Sequence, residues 1–463
     1  MATKRELVEA HSFSRRRLVT AFVSGAPGGR EVEPTRPGRT IIGGVALSVL
    51  LLAGGAIAGV FSPRTPADWM QPGLVLSKDT GAPYVVIDNA AGEPVLRPVV
   101  NITSARLLLG ADASPTTVAQ DEIDKQELGD YIGIAEAPAT LPSSERMIDD
   151  GWTACVDSDT GIDLTLSPRP GVTELDGAAF VVDVGDDSYL VARARRSRTD
   201  GQSFSYQLPA EPATRSSLLR ALGLGESFDA RAVGRDWLAL FPASDPLRQA
   251  SFDLPGKGGP ISYGRALGGL DAEVGDLVTV GGDQVFLLQQ DGPASLDRFA
   301  LAVYRETARP AEHETDQLGV ETVPPAHSAD WPDTTLEPVF TPYCALLHPG
   351  DAAPPVVRLA TTADPSAVVS VPAGQRSVSM AAGRGAYYVV GGWESSDGRA
   401  RFVVDPKGDR HVLDGAAHEL LGYADHNPRV VPDSWSDLFY DGVVLSRDAA
   451  LCGPTPRANT PCE

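Results

Sequence analysis

Hydrophobic positions fall into two patterns along this chain, one unbroken run near the start and many short runs after it. The unbroken run, residues 41–61, reads Ile-Ile-Gly-Gly-Val-Ala-Leu-Ser-Val-Leu-Leu-Leu-Ala-Gly-Gly-Ala-Ile-Ala-Gly-Val-Phe, with no charge and one hydroxyl, Ser48. At about 1.5 Å per residue it spans roughly 31 Å, the depth of a bilayer's hydrocarbon core, and so predicts a transmembrane helix. A cleaved signal ending at Ala56-Ile57-Ala58 fits less well, because the ~40 residues before the run far exceed a usual n-region. A twin-arginine signal at Ser14-Arg15-Arg16-Arg17-Leu18 fits less well too, since a Pro/Gly linker from Gly25 to Arg39 intervenes. Residues 3–23 predict a short amphipathic helix, its apolar Leu7, Val8, Leu18, Val19, Phe22 and Val23 interrupted by Arg15, Arg16 and Arg17. Those arginines can meet lipid head groups or an acidic partner. Gly55 and Gly59, four apart in the apolar run, offer a close-packing face to another helix.

Beyond Arg64 the short runs repeat in order. Tyr84-Val85-Val86-Ile87 predicts a strand, Asp88 to Gly92 a turn and Val95-Leu96 a second strand. Asn101 to Ser104 supply N-cap chemistry, residues 105–109 a short helix and Gly110 its stop. The order recurs at Tyr189-Leu190-Val191-Ala192, with Gly201, Phe204-Ser205-Tyr206, a helix at 216–222 and Gly223. It is fainter at Val285-Phe286-Leu287-Leu288 with Asp291-Gly292, and clear again at Tyr387-Tyr388-Val389-Val390, Phe402-Val403-Val404 and Leu420-Leu421-Gly422. Four degenerate strand-helix repeats, with first strands starting at 84, 189, 285 and 387, are the expectation. The organisation follows: a basic arm at 1–40, the membrane helix at 41–61, repeat 1 at 62–120 and a first part of a central domain at 121–180. Repeats 2 and 3 then occupy 181–245 and 246–309, a second central part 310–380, repeat 4 381–448, and a Pro-rich tail 449–463. The fold class expected is a single-pass membrane protein with an elongated, β-rich α+β extracytoplasmic domain.

Charge sharpens this picture. The first 40 residues hold eight basic side chains against four acidic ones, so of the chain's net −22 the remainder carries −26. The positive-inside rule then leaves the N-terminus cytoplasmic and the bulk of the chain extracytoplasmic. Nucleic acid and anionic lipid are poor partners for that acidic bulk. The whole chain's 47 Gly and 38 Pro argue for many turns and short strands, while 42% hydrophobic residues exclude general disorder.

All four cysteines, Cys155, Cys344, Cys452 and Cys462, follow the apolar run. In an oxidising compartment an even count implies disulfides, and with no C-x-x-C present zinc is not expected. The expected pairs are Cys155 with Cys344 and Cys452 with Cys462, the connectivity itself staying open. The first pair lies in the Pro-rich stretches between repeats 1 and 2 and between 3 and 4, so joining it closes the two halves around a central domain.

Catalytic patterns are missing. Pro255-Gly256-Lys257-Gly258 has Ser251 and Gly258 where a Walker A motif needs Gly and Ser/Thr, and neither G-x-S-x-G nor H-E-x-x-H occurs. His411 and His418 read as surface or packing histidines without a third ligand. Asp157, Asp159 and Asp163 around Gly161 read as a polar turn rather than a calcium loop. Asp183, Asp186 and Asp187 read as a solvated strand start. No catalytic, cofactor or metal residue is assigned.

Phe13-Ser14-Arg15-Arg16-Arg17-Leu18-Val19-Thr20-Ala21-Phe22, Tyr84-Val85-Val86-Ile87-Asp88, Val99-Val100-Asn101-Ile102-Thr103-Ser104-Ala105-Arg106-Leu107-Leu108, Val431-Pro432 and Leu445-Ser446 together resemble the EccB family. These are membrane core components of actinobacterial type VII (ESX) secretion systems. The resemblance covers nearly the whole chain and implies a structural subunit that assembles with EccC, an FtsK-like motor ATPase, with EccD and EccE, and with itself. It implies a central-domain disulfide matched by Cys155 and Cys344. It also carries an ATPase activity attributed to the family, for which this chain offers no Walker A motif. The alternative functions are an extracytoplasmic ATPase or cell-wall hydrolase with an unrecognised site, and an anchored wall-binding module.

Overall fold

A computed structural model describes residues 3–24, 47–48, 66, 68–89, 91–157, 160–194, 201–225, 230–332, 335–339, 342–351, 353–362, 364, 368–395 and 397–454. The chain divides into two units, Met1–Ala67 and Asp68–Glu463. The first contains α1 (Lys4–Ser24). Among the described residues no helix is long and apolar enough to cross a membrane. The apolar run at 41–61, apart from Leu47 and Ser48, lies outside the described residues, as do Gly55 and Gly59.

In the second unit the chain four times lays down three antiparallel strands, a helix and a last strand parallel to the first. The first copy is β1 (Gly73–Ser77), β2 (Pro83–Asp88), β3 (Pro94–Pro98), α2 (Ile102–Leu109) and β4 (Thr116–Val118), ordered β3-β2-β1-β4. After β5 (Trp152–Val156), β6 (Ile162–Leu166) and β7 (Val172–Glu174) comes the second copy. It comprises β8 (Ala178–Val184), β9 (Asp187–Arg193), β10 (Ser203–Gln207), α3 (Pro212–Ala221) and β11 (Arg231–Ala232). The third is β12 (Leu277–Val280), β13 (Gln284–Leu288), β14 (Pro293–Ser295), α4 (Arg298–Ala308) and β15 (Glu312–Thr315). Next, β16 (Glu337–Pro338) pairs with β8, and β17 (Tyr343–His348), β18 (Val356–Thr362) and β19 (Arg376–Met380) join β5–β7 in one six-stranded sheet ordered β19-β6-β5-β17-β18-β7. The fourth copy is β20 (Ala386–Gly391), β21 (Arg401–Val404), β22 (Asp409–Val412), α5 (Ala417–Leu420) and β23 (Arg429–Pro432), with β24 (Tyr440–Asp441) added beside β22.

The runs read as strands in the sequence are strands, but their frame differs. Those at 84, 189 and 285 are second strands, preceded by β1, β8 and β12, whereas the one at 387 is the first strand β20. Runs rich in aromatic and branched residues mark one strand of each copy, and which strand carries that run changes between copies. The third copy extends past the boundary expected at 309, because β15 must return beside β12 to complete its sheet.

Side-chain alternation explains why these runs look continuous rather than amphipathic. In the second copy Ala179, Val181, Leu190 and Ala192 pack with Leu277, Leu287 and α4 residues of the third copy. Their neighbours Phe180, Val182 and Val191 point the other way, toward the central sheet. The fourth copy is two-faced as well: Tyr388 and Val404 join the central cluster, while Tyr387 and Val403 meet Leu74, Val85 and Leu107 of the first copy. Packing contacts therefore run from the first copy through the fourth, the central sheet and the second to the third.

Asn101 fixes the start of α2. Its side-chain oxygen accepts from the Ser104 N–H at 2.8 Å, and its amide donates to the carbonyls of Ile134 at 2.8 Å and Ala137 at 3.3 Å. Both the cap and the 134–137 loop depend on one buried amide. Asn101→Ala is expected to destabilise the unit by about 2–3 kcal/mol in urea unfolding, a lost cap plus stranded carbonyls. Asn101→Asp keeps the acceptor, loses the donors, and is expected to fall between the two.

Candidate functional site

The two halves of the chain meet where β5 lies against β17. Trp152 stands opposite Leu347, Ala154 opposite Ala345 and Cys155 opposite Cys344. Alternation sends Trp152, Ala154, Val156, Tyr343, Ala345 and Leu347 to one face and Cys155, Cys344 and Leu346 to the other. Cys155 and Cys344 form a disulfide, S–S 2.03 Å, with Cα atoms 4.0 Å apart across 189 residues of sequence. The loop it closes contains the whole second and third copies. In the chain-entropy model a loop of that size contributes about 5 kcal/mol. Cys452 is disulfide-bonded as well, and Cys462 lies outside the described residues.

The opposite face is aromatic. Trp152 meets Tyr388 and Phe439 edge-on, each at 5.5 Å, and Phe180 stacks on Tyr343 at 4.1 Å. Each indole here satisfies its N–H on a carbonyl: Trp152 on Ile148 at 3.2 Å, Trp237 on Ala154 at 3.1 Å and Trp435 on Leu240 at 3.1 Å. Trp237 follows the second copy and its bond ties that copy to β5, while Trp435, following the fourth, bonds the segment that carries Trp237.

Charges finish the joints at one end of the sheet. His348, the last residue of β17, bonds Asp150 through Nδ1 at 2.8 Å and Glu174 through Nε2 at 3.0 Å, and Arg358 of β18 pairs with Glu174. Arg358 lies against Gly201 of the second copy, where a Cβ would come within 2.9 Å of the guanidinium. Beside it the Gln202 side chain accepts from the Val357 N–H at 3.3 Å. On the fourth-copy side, Asp149 accepts from His426 at 3.0 Å, Arg429 reaches both Asp149 and Asp351, and Asn427 donates to Asp351 at 3.0 Å. Gly350 and Val430 exchange backbone hydrogen bonds, 2.9 Å each. This arrangement clamps three sheets; it holds no nucleophile poised beside a base.

Titration follows from these contacts. The hydrogen bond to Asp150, opposed by burial and helped by Glu174, holds the His348 imidazolium above the usual histidine range. Burial raises the Asp150 and Glu174 carboxyls, but His348, and for Glu174 chiefly Arg358, outweigh it and hold both below the usual range.

Sequence-predicted residues scatter. Arg15, Arg16 and Arg17 are exposed on α1. His411 is buried, its Nδ1 3.2 Å from the Val443 carbonyl, and half-buried His418 lies near Glu419. Asp163, read as part of a turn, is instead buried within β6; it accepts from the Val369 N–H at 3.1 Å, and burial raises its carboxyl. Asp183, read as solvated, is half-buried and accepts from the Ser188 hydroxyl across the β8–β9 hairpin; Asp186 and Asp187 are exposed. Among the described residues no three His, Cys, Asp or Glu side chains are grouped to hold a metal. Nothing in the sequence marks His348, Asp150, Glu174 and Arg358, because partners up to 198 residues apart leave no local spacing to read.

The sign of the pH dependence is fixed by these shifts. The raised His348 contributes stability in full below about pH 6.5 and loses it as pH rises through its folded value; the lowered carboxylates contribute in full above about pH 4 and lose it on acidification. His348→Gln is therefore expected to lower the unfolding midpoint of the 68–463 unit most near pH 6, with the difference from the parent shrinking by about pH 9 in denaturant melts at each pH.

Residues 1–455 match the family described as "Type VII secretion system ESX-1, transport TM domain B". Among curated relatives, the "ESX-3 secretion system ATPase EccB3" of Mycobacterium tuberculosis is 28% identical over 480 residues, covering 91% of this chain and 84% of that one. The "ESX-1 secretion system ATPase EccB1" of Mycolicibacterium smegmatis is 26% identical over 445 residues, covering 89% and 87%. Among solved structures, a chain from "Structure of an intact ESX-5 inner membrane complex, Composite C3 model" aligns with TM-score 0.63 at 21% identity over 100% of this chain and 98% of that one. One from "Structure of EccB3 dimer from the ESX-3 core complex" aligns with TM-score 0.62 at 22% identity, over 82% and 100%. Since the family match runs over nearly the whole sequence, the chain belongs to the family of type VII secretion system transport proteins of the domain B type.

Proposed function

We propose that this chain is a structural membrane subunit of a type VII (ESX) secretion core complex. The carrying observation is the family match over residues 1–455. Residues 41–61 anchor the chain once in the cytoplasmic membrane, the basic arm stays in the cytoplasm, and the acidic 68–463 unit lies on the periplasmic side. There it associates with further copies of itself, while the arm and anchor meet an EccC-like FtsK-type motor ATPase and EccD-like and EccE-like membrane subunits. The clamped central sheet suits this role, since a subunit that bears load between partners needs its sheets fixed to one another.

The word ATPase in the relatives' names supports a second reading, hydrolysis by the chain itself. Gentle extraction of native membranes carrying a C-terminally tagged chain tests both. A megadalton-scale assembly is expected, with nucleotide hydrolysis abolished by substituting the co-purifying motor's Walker lysine. Recovery of a free monomer contradicts the structural reading. Hydrolysis by the isolated 68–463 unit that one acid substitution removes supports the second.

A further inference from the structure

α1 carries a face of large, exposed apolar side chains. At 100° per residue, Leu7, Leu18, Phe22, Val8 and Val19 fall within roughly a third of the helix circumference. They are 63%, 70%, 94%, 68% and 58% exposed. A soluble helix does not leave so many large apolar side chains in water without an occupant. Lys4, His11 and Arg15 fall inside this arc and Arg16 about 60° beyond its edge, while the acids Glu6 and Glu9 lie on the other side with Phe13 and Arg17. An arginine within an apolar arc suits a surface where its stem is buried and its guanidinium reaches out to anionic groups. Residues 25–40 alone separate α1 from the apolar run, a reach of at most about 60 Å fully extended. The tether keeps α1 at high local concentration beside whatever surface residues 41–61 enter.

We infer that α1 lies in the plane of an anionic bilayer surface, with Leu7, Val8, Leu18, Val19 and Phe22 in the acyl boundary and Arg15 and Arg16 on lipid phosphates. The inference rests on residues 41–61 being a membrane anchor. An interfacial helix there fixes the azimuth and depth of the cytoplasmic arm before any protein partner arrives. It also makes that placement dependent on lipid charge, which an apolar anchor alone does not sense.

The test uses the full chain, with Leu18→Cys labelled by an environment-sensitive fluorophore and reconstituted into vesicles of phosphatidylcholine with or without phosphatidylglycerol. Vesicle flotation is read on the same samples. The expected result is flotation in both lipids, with the probe blue-shifted and quenched by bilayer-embedded quenchers only when phosphatidylglycerol is present, and with high salt reversing the shift. Arg15→Gln with Arg16→Gln is expected to lower the ratio of immersed to water-exposed probe about 30-fold without altering flotation. Flotation with a probe that stays in water overturns the inference and leaves the anchor intact. So does immersion that ignores lipid charge, or immersion only after an acidic partner protein is added. Failure to float overturns the anchor reading itself.

Discussion

The pairing of β5 with β17 is the constraint on which the second unit depends. It joins residues 189 positions apart, so the chain must close a loop holding two complete sheets before Trp152 can reach its partners. That closure is held on one face by the Cys155–Cys344 disulfide and on the other by Trp152, Tyr388, Phe439, Phe180 and Tyr343. The covalent bond limits the entropy of the unfolded chain, while the aromatic face supplies burial in the folded one. Because Trp237 bonds the Ala154 carbonyl of β5, loss of the central sheet would strand its indole N–H as well as expose apolar surface.

The four-fold repetition follows from a local economy. A three-stranded meander leaves both faces apolar, and a helix plus a returning parallel strand covers too little of them. Each copy must therefore find a neighbour. The first and fourth share one cluster, the second and third another, and the inner two meet the central sheet. The charged joints add geometry more than strength: partly exposed pairs are worth little singly, but Asp149 and Asp150 are adjacent in sequence and reach His426, Arg429 and His348 from opposite sides.

Legibility in the sequence tracked locality. Runs such as Tyr84-Val85-Val86-Ile87 and Tyr387-Tyr388-Val389-Val390 announced strands because two buried faces give unbroken apolar stretches. Asn101 announced a cap because its chemistry acts three residues away. The frame of the copies was less legible, since β1 and β12 are short and their partner strands carry the stronger runs. Helix α4 went unread although Asp297 caps it at 2.8 Å from the Ala300 N–H. The central sheet's order and the His348 cluster were not legible at all, being set by contacts between the two halves. Family membership was legible through motifs spread along the chain, each weak by itself.

The central claim is that β5–β17 closure holds the neighbouring copies in place. Native-state hydrogen exchange on the 68–463 unit, with the Cys155–Cys344 bond intact and then with both cysteines changed to serine, tests it most directly. The account predicts that protection falls together in β5, β17, β8 and β20, while β12 and β13 at the far side of the second copy keep most of theirs. Unchanged protection in β8 and β20 while β5 and β17 open would show that the copies stand without the central sheet, and would contradict it.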